Sequence, residues 1–231
     1  YGYSPSYIAW RARRDGLAMV GVVDFDVLDA TDEFLAACRL LGIKACAGFE
    51  TRVFIPEFET REINSPGEPG ISYHMGIGLT TSNPADRGLL DKMCAAAEYR
   101  TRDIVARVNA FLAPVELDYA RDVLPLTPNG NATERHVCQA YERKAEELFP
   151  NTDARAAFWA AKLGGDPEKM AAALADSAAF QGAIRAKTMK SGGVGYVKPD
   201  GASFPRLQAV NAFTLAAGGI PTVTWLDGLS Q

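Results

Sequence analysis

The chain has 231 residues, 48 % hydrophobic and 23 % charged, which suits one α/β domain or a domain carrying an insertion. Its 24 Lys and Arg stand against 28 Asp and Glu, a formal net charge of −4. That balance argues against general nucleic-acid binding but leaves room for a small phosphorylated substrate, which needs only local positive charge.

No apolar run reaches the ~20 residues that span a bilayer, so no membrane segment is expected. The polar and aromatic start does not read as a signal peptide. Cys38, Cys46, Cys94 and Cys138 form no CxxC pair. They are expected to be reduced and mostly buried, in a reducing, cytoplasmic setting. Tyr1-Gly2-Tyr3-Ser4-Pro5 reads as the middle of a loop, and Leu229-Ser230-Gln231 stops just after a strand. The sequence is therefore expected to be a piece of a longer domain.

Ser4-Pro5 predicts a helix start, with Ser4 as N-cap and Pro5 at the first helical position. Arg11, Arg13 and Arg14 cluster at that helix's far end, as a solvated basic face. Ala18–Val23 is a continuous apolar run, the pattern of a strand buried on both faces. It ends in Asp24-Phe25-Asp26. Thr31-Asp32-Glu33 starts a helix whose stripe is Phe34, Leu35, Cys38 and Leu41, with Gly42 as its C-cap. Ile43–Ala47 predicts a second strand, ending in Gly48-Phe49-Glu50. Two such turns within ~50 residues indicate a parallel α/β sheet or barrel.

Thr51–Glu62 alternates apolar and polar residues, as a strand or hairpin would, and Asn64–Gly70 is a Pro/Gly loop. Ile71–Gly78 is a further strand candidate containing His74. Asn83-Pro84 caps a long helix running to about Leu112. From Val115 to Lys190 short alanine-rich helices dominate: Glu134–Phe149, Asp153–Leu163 and Pro167 to about Met189. Ser191–Tyr196 is a return loop, followed by Lys198, a phosphate contact or a solvent-exposed lysine. Phe204–Ala217 reads as a helix started by Ser203 and Pro205, and Ile220–Trp225 as a last strand ending in Leu226-Asp227-Gly228.

Asp24 and Asp26 at a strand end have two readings. They form a hard-cation or general-base site, or they satisfy loop amides. Glu50 closes a neighbouring strand and is expected to converge with Asp24. With a nearby His, that grouping offers the anionic and imidazole donors of a hydrolytic metal site. His74 itself is either a ligand or a satisfied core histidine.

The run from Ser4 to Glu50, SPSYIAWRARRDGLAMVGVVDFDVLDATDEFLAACRLLGIKACAGFE, resembles the opening of PHP (polymerase and histidinol phosphatase) domains. Those domains have a Ser-Pro-started helix, a Gly-Leu, and a strand ending in an Asp-His-Asp-Thr-like turn. A helix with Leu-Gly-Ile-Lys and a strand ending in Gly-x-Glu follow. Tyr73-His74-Met75-Gly76-Ile77-Gly78 resembles the family's His-x-x-Gly segment. Thr133-Glu134-Arg135-His136-Val137 resembles an Arg-x-His helix start in the small-phosphoesterase branch. Ala217-Gly218-Gly219-Ile220-Pro221 resembles a strand lead-in that normally ends in a metal-binding His.

The resemblance implies a distorted (β/α)7-type barrel with an all-helical insertion. Residues 1–112 would begin the barrel, 113–190 form the insertion, and 191–231 continue the barrel. It implies divalent metal ions (Mn, Zn, Fe or Mg) and hydrolysis of a phosphoester of a small molecule or nucleotide. Glu50, His74 and Asp24 would serve the metal, Asp24 and Asp26 the catalysis, and Arg135, His136, Trp225 and Asp227 the substrate. Two departures stand against it: Phe25 occupies the place of the family's central His, and Trp225 that of the strand-end His. A PHP-like scaffold that binds without catalysing, or an amidohydrolase-like barrel enzyme, are the competing readings.

Overall fold

The computed structural model describes residues 3–198 and 201–224. Trp225 and Asp227, both assigned to the substrate by resemblance, lie outside the described residues. Helix α1 (Pro5–Arg14) starts as the sequence predicts, with the Ser4 hydroxyl accepting from Tyr7 N–H at 3.2 Å. The apolar run that follows forms β1 (Met19–Phe25). Helix α2 (Thr31–Leu41) ends at Gly42, whose φ of 64° is left-handed and costs a glycine nothing sterically.

Strand β2 (Lys44–Phe54) runs parallel to β1, pairing Met19 with Lys44 through Phe25 with Glu50. It is longer than the short strand expected, and Glu50 lies within it rather than at its end. The reason is β3 (Ile71–Ile77), which pairs with β2 in antiparallel register from Gly48–Ile77 to Phe54–Ile71. Residues 51–54 thereby keep ladder partners after β1 has ended.

Strand β4 (Ile220–Val223) adds antiparallel to β3, giving a sheet in the order β1-β2-β3-β4. The sheet is mixed, not parallel throughout as expected. The connection from β2 to β3 holds only a short 3₁₀ turn, Pro56–Phe58. Lacking a crossover helix, it returns the chain antiparallel. Among the described residues the sheet is open, with β1 and β4 at its edges.

One face of the sheet carries the helices. Ala9, Ala12, Phe34 and Cys38 of α1 and α2 pack with Val20, Val22, Ala45 and Ala47. Further along, Phe49 and Val53 are buried with Leu90 and Met93 of α3 (Gly88–Leu112) and Val210 and Phe213 of α8 (Leu207–Ala216). The opposite face exposes Met19, Val23 and Ile220. Helix α8 starts later than predicted, because Phe204-Pro205-Arg206 is drawn alongside the end of β2. Phe54 N–H donates to Pro205 O at 2.9 Å, and Phe54 bridges Arg206.

The described residues fall into two compact units. One holds the sheet and runs to residue 96 and from 201 onwards; the other is residues 97–198. The second unit is helical, with α4 (Glu134–Leu148), α5 (Thr152–Leu163), α6 (Pro167–Ala173) and α7 (Ser177–Thr188). The single helix expected from Pro167 to Met189 is broken into α6 and α7. Asp176 restarts it as an N-cap, accepting from Ala179 N–H at 3.1 Å. Trp159, Tyr141, Phe180, Val108, Leu112 and Ile184 lie in this unit's core.

Candidate functional site

Side chains alternate between the two faces of a strand, and residues opposite one another in register share a face. Phe25, Glu50 and Met75 therefore form one row across β1, β2 and β3. They lie on the face opposite the helices, level with the end of β1. Glu50 is half-buried there. Burial, and after it the neighbouring Asp26 carboxylate, raise its pKa above the ordinary glutamate value. The next row beyond β1 places Arg52 opposite Tyr73, and Phe204 covers the Arg52 guanidinium at 4.4 Å.

Asp24 pairs with Phe49, so it leaves the sheet on the helix side, away from Glu50. Its Oδ2 accepts from Ala30 N–H at 2.7 Å, which holds the start of α2, where the N-cap residue has no side-chain cap of its own. Burial raises the Asp24 pKa, against the opposing effect of that N–H. Asp26 has a φ of 64°, a left-handed conformation that aspartate tolerates better than most residues. Its N–H donates to Glu50 O at 2.8 Å and its Oδ1 accepts from the Thr51 hydroxyl at 2.5 Å.

His74 is opposite Thr51 in the register and shares the helix face with it. It is buried, and its Nε2 lies 2.8 Å from Asn211 Oδ1 on α8. Burial lowers its pKa, against the effect of Asn211. The expected convergence of Glu50 with Asp24 and His74 is thus not what the register makes. Glu50 stands alone among them on the helix-free face. Asp24 and His74 lie on the helix side, already engaged with Ala30 and Asn211, while Asp26, just past the end of β1, bonds Thr51 and stays near enough to Glu50 to raise its pKa.

Arg135 and His136 belong to the helical unit. The His136 Nδ1 accepts from Thr133 N–H at 3.1 Å, closing a capping box at the start of α4. Burial lowers the His136 pKa. Beside it, Glu134 bonds Arg185 and Lys190 at 2.5 and 2.8 Å. Burial works to raise the Glu134 pKa, but these two cations outweigh it and hold it below the ordinary range. Lys198 is exposed.

Among the described residues no group of three or more His, Cys, Asp or Glu side chains is placed to hold a metal ion. These donors do not by themselves fit a divalent metal. Sequence reasoning missed Arg52, Thr51 and Asn211. Arg52 carried a usable signal, since it lies two residues beyond Glu50 and shares its face if the strand continues. Nothing in the sequence pointed to Asn211.

No protein-family model matches the chain, and no curated protein matches it. Solved structures that share its fold include these two. One is an amidohydrolase from Chromobacterium violaceum, solved with bound sulfate and no metal. It is 17 % identical with a TM-score of 0.58, over 95 % of this chain and 61 % of its own. The other is described as a candidate metal-dependent phosphoesterase from Bifidobacterium adolescentis. It is 16 % identical with a TM-score of 0.58, over 98 % of this chain and 66 % of its own. The chain spans less than two thirds of the length of either structure. At this identity the likeness establishes an α/β fold of the kind those two hydrolases have.

Proposed function

We propose that the chain belongs to a PHP-type barrel hydrolase acting on a phosphoester of a small molecule or nucleotide, with residues 113–190 as its helical insertion. The observation that carries this reading is the position of Glu50. It is a half-buried acid on the helix-free face, level with the end of β1. In β/α barrels the helices lie outside, the helix-free face lines the interior, and chemistry sits at the C-terminal strand ends. The fold shared with two hydrolases supports the same placement.

In this reading Glu50 is the reactive acid. Its raised pKa means that the carboxylate form, needed to accept a proton from water or to hold a cation, is reached only as pH rises past the ordinary glutamate range. Asp24 and Asp26 set the turn after β1 that carries Phe25 beside Glu50, and His74 ties β3 to α8. The resemblance gives Arg135 and His136 to the substrate. The resemblance also gives Trp225 and Asp227 to the substrate. A divalent metal, the family's usual source of an activated water, would need donors beyond the described residues to join Glu50.

A second reading, binding without catalysis, is favoured by Phe25. It fills the row beside Glu50 with a side chain that cannot ligate. The two separate in one experiment on the full-length protein supplied with Mn or Zn: a panel of phosphomonoesters and nucleotides, with metal content measured by elemental analysis. Phosphomonoester hydrolysis is expected, with an acid limb, and Glu50→Gln should lower it by about 10²-fold or more. Hydrolysis untouched by Glu50→Gln sinks the assignment of Glu50. Neither turnover nor bound metal selects the binding reading, and turnover of amides or lactones alone selects the amidohydrolase-like one.

A further inference from the structure

Arg52 lies two residues past Glu50 on the same helix-free face of β2, where β1 has already ended. Its guanidinium is held from two directions. Nη1 donates to both carboxylate oxygens of Glu68, at 3.0 and 3.1 Å. The Phe204 ring centroid lies 4.4 Å from its central carbon. Glu68 is itself fixed by the Ser65 hydroxyl. The Arg52 and Glu68 side chains keep only 19 % and 10 % of their exposure.

What the pair does not use is the other edge of the guanidinium. Nε is buried without a hydrogen-bond partner, and among the described residues no acceptor meets Nη2 either. Nε and Nη2 are the two donors whose parallel N–H bonds match two oxygens of a phosphate or carboxylate. A buried donor without an acceptor destabilises a fold, so its retention calls for a partner. Were Arg52 only a latch for the loop before β3, one ion pair through Nη1 would suffice, and a lysine would serve as well.

We propose that Arg52 is the anchor for the substrate's phosphate group, presenting its Nε–Nη2 edge beside Glu50, with Glu68 and Phe204 holding that edge in position. The identity of the ligand as a phosphate ester rests on the hydrolase reading above. The anchor itself does not require turnover.

The test follows the arginine Nε–H resonances of the ¹⁵N-labelled full chain while inorganic phosphate is added. The Arg52 signal is identified by its loss in Arg52→Lys. That resonance should move saturably, and Arg52→Lys should bind phosphate about tenfold more weakly while its other resonances stay in place. A still Arg52 resonance, or equal phosphate affinity in Arg52→Lys, overturns the proposal. Saturable binding at Arg52 in a protein that turns over no ester upholds the anchor and sinks the hydrolase reading. Ester turnover with KM unchanged in Arg52→Lys does the reverse.

Discussion

Burial lowers the pKa of both histidines, although the chain uses them differently. His74 joins a strand to a helix through Asn211, and His136 caps α4 through Thr133. Both stay neutral in the fold at a pH where the unfolded chain, titrating near the ordinary 6.5, already takes up protons. Stability from this source is therefore full above about pH 6.5 and is lost as pH falls towards the folded values. The slope reaches at most about 1.4 kcal/mol per pH unit for each histidine. Asp24 and Glu50, whose pKa values are raised, act in the opposite sense at their own lower range. Urea unfolding at a series of pH values between about 5 and 7.5 reads that slope. His74→Gln retains an amide for Asn211, and His136→Gln retains the capping box. Each should flatten the profile, and an unchanged slope in both would assign the acid sensitivity to carboxylates held below their ordinary range, such as Glu134, instead. At this scale the sequence offered residue types without their partners. It supplied two readings of His74, and only the contact with Asn211, 137 positions away, shows what its ring meets.

Elements were more legible than faces. The Ser4-Pro5 start, the Gly42 stop and the apolar run of β1 follow from local chemistry and appear where the pattern put them. But β1 is covered on one face only, with Met19 and Val23 exposed on the other rather than buried on both. Which side chains meet is a matter of register, and with a period of two a shift by one residue exchanges the faces. The parallel register that sets Phe25 against Glu50 sends Asp24 to the helix side, and no strand-end pattern contains that information. The closeness of α8 to the sheet is equally non-local, and Gly76 makes it possible. A Cβ built at Gly76 would lie 2.5 Å from Phe49 Cε1 and 2.7 Å from Thr214 Oγ1. Gly76→Ala must therefore push α8 from the sheet or turn Phe49 out of its rotamer. A loss of about 1–3 kcal/mol in denaturant unfolding is expected. An alanine tolerated without loss would show that α8 is not packed against β3 at that depth.

At the scale of the whole chain, the change in composition near Val115 marks where helices begin to follow one another without strands. The compact helical unit begins earlier, at residue 97, because α3 continues into it and gives it Val105, Val108 and Leu112. A composition shift reports which elements are present, whereas a unit boundary reports which core each turn of a helix enters, so the two need not coincide. The open sheet was illegible for a related reason. Closure depends on which strands pair, and strand patterns alone do not specify partners. The helical core draws all of its buried residues from within its own unit, among them Trp159, Tyr141 and Phe180. A core of that composition should fold without the sheet. The fragment Gly88–Lys198, which keeps α3 whole, is expected to give a helical circular-dichroism spectrum and a single cooperative urea transition. Trp159 is its sole tryptophan, since Trp10 and Trp225 fall outside it, so its fluorescence reports burial directly. Emission at the wavelength of a solvated indole, with no cooperative transition, would show that the helical unit needs the rest of the chain to fold.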